Sequence, residues 1–175
     1  LALSAGDVDG DGLPDLVAGA NLDQSSDAFS FPGSLRVYRG TDGAELLVVH
    51  GGFPLTMLGG DVAGVGDVDG DGLADVAGSY AGSLNGRARV FSGADGAVLV
   101  DVFGGTLDQL GSALAGPGDV TGDGVPDLLV GVPGHDVTTF GNEGRAVVIS
   151  GADATVALAV DGEQVGGFSG RAVAA

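Results

Sequence analysis

The sequence predicts an all-β chain, built as three four-stranded antiparallel blades of a β-propeller. Three observations carry that expectation: a thrice-repeated acidic segment, Asp-Gly hairpin marks that follow it, and a near absence of helix signals. Gly6 to Ala20 reads GDVDGDGLPDLVAGA, Gly66 to Tyr80 reads GDVDGDGLADVAGSY, and Gly118 to Val132 reads GDVTGDGVPDLLVGV. Their starts lie 60 and 52 residues apart, and self-similarity of this kind marks a repeat architecture. Glycine interrupts every helical window, and only 3 Glu and no Lys are present to favour a helix.

The elements follow in order within the second repeat. A first strand is expected over Leu58 to Val65, a second over Leu73 to Tyr80, a third over Arg87 to Ser92 and a fourth over Ala97 to Phe103. Ala94-Asp95-Gly96 joins the last two, as Thr41-Asp42-Gly43 does in the first repeat. Asp-Gly between apolar runs is a strong hairpin signal, because a tight turn needs φ > 0 at its central residues. The third repeat has Asp153-Ala154 there, which predicts a looser turn. Two longer insertions, Asn21 to Gly33 and Pro133 to Gly144, fall between second and third strands. In an up-and-down sheet they lie opposite the acidic loops, which share a face with the hairpins.

Repeat phase gives units of about 1–57, 58–109 and 110–167, with 168–175 beginning a further blade. Three blades are fewer than the 4 to 8 of a closed ring. The expectation is therefore a segment of a longer chain, or copies that assemble as a homo-oligomer to complete the propeller. The lack of an initiator Met fits processing or excision.

Composition narrows the function. Twenty-four acidic residues against 6 Arg give a formal charge of −18, which disfavours nucleic acid and anionic lipid. No apolar run approaches the length that crosses a bilayer, so no membrane insertion is expected. A hydrophobic content of 44% and a mean hydropathy of +0.35 argue for a packed core over disorder. Zero Cys removes disulfides and Cys-ligated zinc.

Eleven of the 24 carboxylates sit in the acidic loops, which read D-x-D-x-D-G-x-x-D. The candidate ligands are Asp7, Asp9, Asp11 and Asp15; Asp67, Asp69, Asp71 and Asp75; and Asp119, Thr121, Asp123 and Asp127. Leu13, Leu73 and Val125 add a backbone carbonyl at the seventh position. Ca²⁺ takes 6 to 8 oxygens in flexible geometry, and carboxylates at positions 1, 3 and 5 converge when the loop winds about a centre. Position 12, acidic in an EF-hand, holds Ala18, Gly78 or Val130 inside a strand, so the loop is only the first half of one. Zinc lacks Cys and paired His, and magnesium prefers fewer carboxylates. Plain Asp/Gly turns are the rival reading, but four carboxylates in nine residues repel without a cation. Thr121 removes a charge and marks the third of these three Ca²⁺ sites as the weakest.

These residues resemble FG-GAP repeats, the blades of integrin α-subunit propellers and of many secreted bacterial proteins. The GDVDGDGxxD loop, the LPDLVAGA-type strand after it and the LGG/LGS turn before it carry the resemblance along the whole chain. Leu58-Gly59 and Leu110-Gly111 stand for Phe-Gly; Gly19-Ala20-Asn21, Gly78-Ser79-Tyr80 and Gly131-Val132-Pro133 stand for Gly-Ala-Pro. The resemblance implies structural calcium on one face and ligands on the other. It implies an integrin-like, secreted or cell-surface module for cell adhesion or protein recognition.

The remaining candidates are weaker. His50 and His135 lie in no triad-like spacing, and a solvated role suits His135 in its loop. Arg36, Arg39, Arg87, Arg89 and Arg145 flank third strands and are expected to pair with carboxylates. Phe29, Phe31, Tyr80 and Phe140 suit blade anchors better than sugar-stacking platforms, and Asn142-Glu143 is a faint sugar-binding pair. No acid/base constellation converges, so a non-enzymatic role is expected. The alternatives are a lectin-like propeller binding a glycan, or a non-catalytic segment of a secreted hydrolase or lyase.

Overall fold

The computed structural model describes residues 2–24, 31–138 and 141–175. Twelve strands form three four-stranded antiparallel sheets, and no helix occurs among the described residues. The first sheet is β1 (Ala2–Gly6), β2 (Asp15–Ala20), β3 (Ser34–Tyr38) and β4 (Glu45–His50). The second is β5 (Leu58–Gly66), β6 (Asp75–Tyr80), β7 (Arg87–Phe91) and β8 (Val98–Phe103). The third is β9 (Leu114–Gly118), β10 (Asp127–Val132), β11 (Arg145–Ile149) and β12 (Val156–Asp161). In each sheet the spatial order is the chain order, the up-and-down pattern of a propeller blade.

β6 starts two residues later than its apolar run suggests. Leu73 still belongs to the acidic loop, where its N–H donates to Asp71 Oδ1 at 2.8 Å. β7 and β8 are each one residue shorter than expected, because Ser92 and Ala97 close the hairpin through a 2.8 Å backbone bond. The hairpins are not two-residue turns. Gly43, Gly96 and Ala154 donate four residues back, to Arg39, Ser92 and Ser150, and within these turns they alone have positive φ. The loop is a four-residue one with a bulge beside it. The third turn is no looser: Ala154 takes φ 59° and keeps the 3.0 Å bond.

Two apolar layers hold the sheets together. Val17, Leu35 and Val37 of the first sheet pack against Leu58, Val62, Val76 and Phe91 of the second. Ala88, Val90 and Val100 of the second pack against Leu128, Val130 and Ile149 of the third. Each fully buried Leu, Val or Phe stabilises by about 1.5–3 kcal/mol. Parallel bridges tie each sheet at the backbone to the chain that follows it: Gly33 to Leu58 at the start of β5, Gly86 to Leu110 before β9, and Gly144 to Ser169 in the C-terminal segment. The packing places Val8, the second residue of the first acidic loop, in the first layer at 3% exposure. Its third-sheet counterpart, Val120, is 50% exposed, and all six residues of β12 are exposed.

Candidate metal centre

Each acidic loop joins the first two strands of a sheet and is closed by the hairpin between the last two. The ninth residue makes the closure. Asp15, Asp75 and Asp127 are fully buried, and both oxygens of each accept backbone N–H groups. Oδ2 accepts from Val8 (2.8 Å), Val68 (2.7 Å) or Val120 (2.7 Å). Oδ1 accepts from the hairpin glycine: Gly40 (2.9 Å), Gly93 (2.9 Å) or Gly151 (3.2 Å). Only glycine fits there, since a Cβ on Gly93 would lie 2.1 Å from the Ala74 carbonyl oxygen.

The first residue shapes the turn. Asp7, Asp67 and Asp119 accept the N–H groups of the fourth and sixth residues, from Gly10 and Gly12, Gly70 and Gly72, Gly122 and Gly124, at 2.6–2.9 Å. Asp11, Asp71 and Asp123 accept from the seventh-position N–H of Leu13, Leu73 and Val125 at 2.8–2.9 Å. These bonds leave lone pairs free on every carboxylate, because each oxygen carries two.

The oxygens converge in the first two loops. Asp7, Asp9 and Asp15 each bring one carboxylate oxygen within 4.8 Å of the others, as do Asp67, Asp69 and Asp71. Two oxygens on one Ca²⁺ lie at most about 5 Å apart, twice the 2.3–2.6 Å bond, so both groups fit a hard divalent cation. The third loop, with Thr121, makes no such group among the described residues. The Thr121 hydroxyl instead donates to Asp119 Oδ1 at 3.3 Å.

Charge balance differs between the loops. Arg39 Nε donates to Asp9 Oδ2 at 2.6 Å, and this bond holds the Asp9 carboxyl below its ordinary range. In the second loop burial pushes Asp75 up, against the bonds from Gly93 and Val68 and with the charges of Asp69 and Asp71 adding to the rise. Backbone bonds, Gly124 foremost, hold Asp119 down.

The expected arginine pairs form. Arg36 bridges Asp23 (3.0 Å) and Glu45 (2.7 Å), and Arg87 and Arg89 share Asp101 at 2.6 and 2.9 Å. Burial raises the Asp101 carboxyl, but the two arginines outweigh it and hold it at about 2. Arg145 pairs with Asp161. Tyr80 is buried, with Arg87 and Arg89 over its ring and its hydroxyl accepting from Arg89, so it is an anchor. Phe29 and Phe140 lie outside the described residues, and Phe31 is half-buried. Glu143 is buried and accepts from Val137, Thr138 and the Thr138 hydroxyl; it ties down its own loop and is not offered to a sugar. His50 is exposed at the end of β4. His135 meets Asp108 at 3.3 Å, tying the β10–β11 loop to the β8–β9 connection.

Sequence reasoning missed Arg39 as a partner of a candidate ligand. The available signal is the aligned hairpin series, where Ser92 and Ser150 take its place.

Comparison with known proteins gives concordant results. The FG-GAP repeat profile matches residues 1–29 and 110–149. Integrin alpha-5 of Xenopus laevis is 31% identical over 173 positions, covering 89% of this chain and 16% of its own length. Integrin alpha-V of Gallus gallus is 30% identical over 151 positions, 77% and 15% respectively. Among solved structures, rhamnogalacturonan lyase YesW superposes with a TM-score of 0.52 at 20% identity, covering 95% of this chain and 35% of that one. A Bacillus licheniformis rhamnogalacturonan lyase gives 0.52 at 17%, covering 94% and 34%. The chain thus spans about one sixth of the integrin subunits, and at these identities the lyases speak to the fold alone. With its three blades and its matching repeats, the chain belongs to the FG-GAP repeat, integrin α-like β-propeller family.

Proposed function

We propose that the chain is a calcium-stabilised, non-enzymatic propeller module of an extracellular protein, used for adhesion or protein recognition. The observation that carries it is the convergence of Asp7, Asp9 and Asp15, and of Asp67, Asp69 and Asp71, in oxygen cages at equivalent corners of successive sheets. A bound Ca²⁺ neutralises carboxylates that otherwise repel, and it pins the loop between the first and second strands. Millimolar external calcium suits sites of this kind.

The opposite face supports a recognition role. Leu22, Phe53, Leu55, Leu84 and Leu107 are exposed on connections of that face, with Phe103 exposed at the end of β8 beside them, and apolar side chains gathered on one side of a module suit an interface. The open side of the third sheet, where β12 exposes Val156, Leu158 and Val160, suits a further blade from the same protein or a second copy. No helix among the described residues is long and apolar enough to cross a membrane.

Thermal melts with millimolar Ca²⁺ and with EDTA test the metal. Saturation at 100 times Kd adds about 2.7 kcal/mol, so EDTA is expected to lower Tm by several degrees; superimposable melts would end the calcium reading. A second reading has its own observation. An open groove of about 330 Å³ lies on the non-acidic face between the second sheet and the chain before β9, with Asn21 of the β2–β3 connection at its edge, and is lined also by Ser79, Tyr80, Gln109 and Ser112. Its mixed lining, with Leu84 and Leu110 beside the hydroxyl and amide groups, suits a glycan, as in a lectin-like propeller or a non-catalytic segment of a secreted lyase. Binding on a glycan array, lost on Gln109→Ala, would favour this reading over protein adhesion.

A further inference from the structure

The three hairpins that close the acidic loops differ at one residue. Just before the hairpin glycine stands Arg39 in the first sheet, Ser92 in the second and Ser150 in the third. Arg39 reaches back across the loop. Its Nε donates to Asp9 Oδ2 at 2.6 Å, and its Nη1 lies 3.6 Å from Asp42 Oδ2. Asp9 is one of the three residues whose oxygens gather in that loop. Ser92 is too short to do this; its Oγ accepts only a 3.3 Å bond from Ala94 N–H. Among the described residues no ion pair reaches Asp67, Asp69, Asp71 or Asp75.

The nine-residue loops themselves, Asp7–Asp15 and Asp67–Asp75, differ only at Pro14 and Ala74. Both bring the first and third aspartates together, joined by Asp15 in the first loop and by Asp71 in the second. The difference in charge between them is a guanidinium, always charged, fixed on Asp9 of the first loop. It does two things at once. It offsets part of the repulsion among four aspartates, which is the service a bound cation performs. It also occupies an oxygen of Asp9 and repels any second cation approaching it.

We infer that Arg39 is a built-in counter-cation: it keeps the first loop ordered without a divalent ion and weakens that loop's hold on one, so the second loop fills first. This rests on the reading of the loops as divalent-cation sites. It assigns to the two sites an order of filling, with the second the calcium-dependent joint and the first a standing one.

Amide resonances of Gly12 and Gly72 report the two loops separately, since each donates to the first aspartate of its loop. In the full chain titrated with calcium chloride, Gly72 is expected to shift at a concentration at least tenfold below Gly12. Arg39→Ser is expected to bring the Gly12 midpoint down to that of Gly72. Coincident midpoints in the parent chain, or a Gly12 midpoint unmoved by Arg39→Ser, would overturn the inference while leaving the cation sites intact. If neither amide responds to calcium, the cation reading itself fails and the order of filling falls with it.

A second readout needs no metal. In EDTA, hydrogen exchange at Gly12 is expected to be at least tenfold slower than at Gly72, and Arg39→Ser is expected to abolish the difference. Equal exchange in the parent chain would overturn the counter-cation role. Ser92→Arg supplies the reverse experiment should Arg39→Ser fold poorly: it is expected to raise the Gly72 midpoint tenfold and slow its exchange in EDTA, and no change in either would count against the inference.

Discussion

The first and second acidic loops are the same object in two settings. They share the closing bond, from Val8 to Asp15 and from Val68 to Asp75, and the turn bonds to the first aspartate, with one added bond from Asp71 N–H to Asp67 in the second. Yet Asp9 is held low by Arg39, while Asp75 is pushed up by burial and by Asp69 and Asp71. The frame of an acidic loop therefore repeats within each sheet: glycine at the turns, and carboxylates that accept N–H groups from the loop and from the hairpin of the same sheet. Its charge balance does not repeat. It depends on one residue of a hairpin 30 positions away, and a repeat can inherit the first without the second.

The largest effect belongs to what the loops share. Replacing Asp75 by Ala strands two N–H groups, those of Val68 and Gly93, each at about 1–3 kcal/mol when left unsatisfied in a buried place. With one of the two buried in each loop, a loss of about 2–4 kcal/mol is expected from urea unfolding in EDTA, and a similar one from Asp15→Ala, which strands buried Val8 and exposed Gly40. Asp71→Ala, exposed and bonded only within its loop, should cost under about 1 kcal/mol. If Asp15→Ala and Asp75→Ala differ by more than the cost of one hydrogen bond, the frames are not equivalent.

A smaller effect belongs to what the loops do not share. In ion-free buffer, carbon NMR of the carboxyl groups should place the Asp75 midpoint above the ordinary 3.8 and the Asp9 midpoint below it. The signs for stability are opposite. Asp9, with its folded value depressed, favours the fold above its unfolded value, and that contribution is lost as pH falls through the lower folded one. Asp75, with its folded value raised, opposes the fold while charged, and that opposition fades as pH falls through it. Identical midpoints for the two residues would remove both the hold of Arg39 on Asp9 and the effect of burial on Asp75.

The difference between frame and balance also explains what could be read from the sequence. Strand order, the three repeats and the acidic corners were legible because each is written in a short window: Asp-Gly, GDVDGDG, and alternating apolar runs. The hairpin geometry was not. Asp-Gly suggests a two-residue turn, but the bulge beside Val90 and Phe91 makes room for a longer loop in which only Gly96 has positive φ. Nor could the window show that both oxygens of Asp75 are taken by Val68 and Gly93. That needs the hairpin to fold back onto the loop, a contact across 18 residues. Arg39 was legible as a carboxylate partner, but which carboxylate it meets is a fact of the assembled sheet.

The smallest expected effect tests the frame at its weakest copy. Ala154 holds φ 59° where the other two hairpins have glycine, a conformation that disfavours a Cβ by about 1–2 kcal/mol. Ala154→Gly removes that strain but loosens the unfolded chain by about 0.4–1 kcal/mol, so a net gain of about 0.5–1 kcal/mol is expected, with an unchanged m-value in urea. The converse change should cost more than this gains. A Cβ on Gly96 would meet Val49 Cγ2 at 3.2 Å and Leu47 Cδ1 at 3.4 Å, so Gly96→Ala adds crowding against the first sheet to the same backbone strain. Should Ala154→Gly prove neutral, the third hairpin would have found a way to carry its alanine that the first two lack, and the three blades would differ in their turns as well as in the charge balance of their loops.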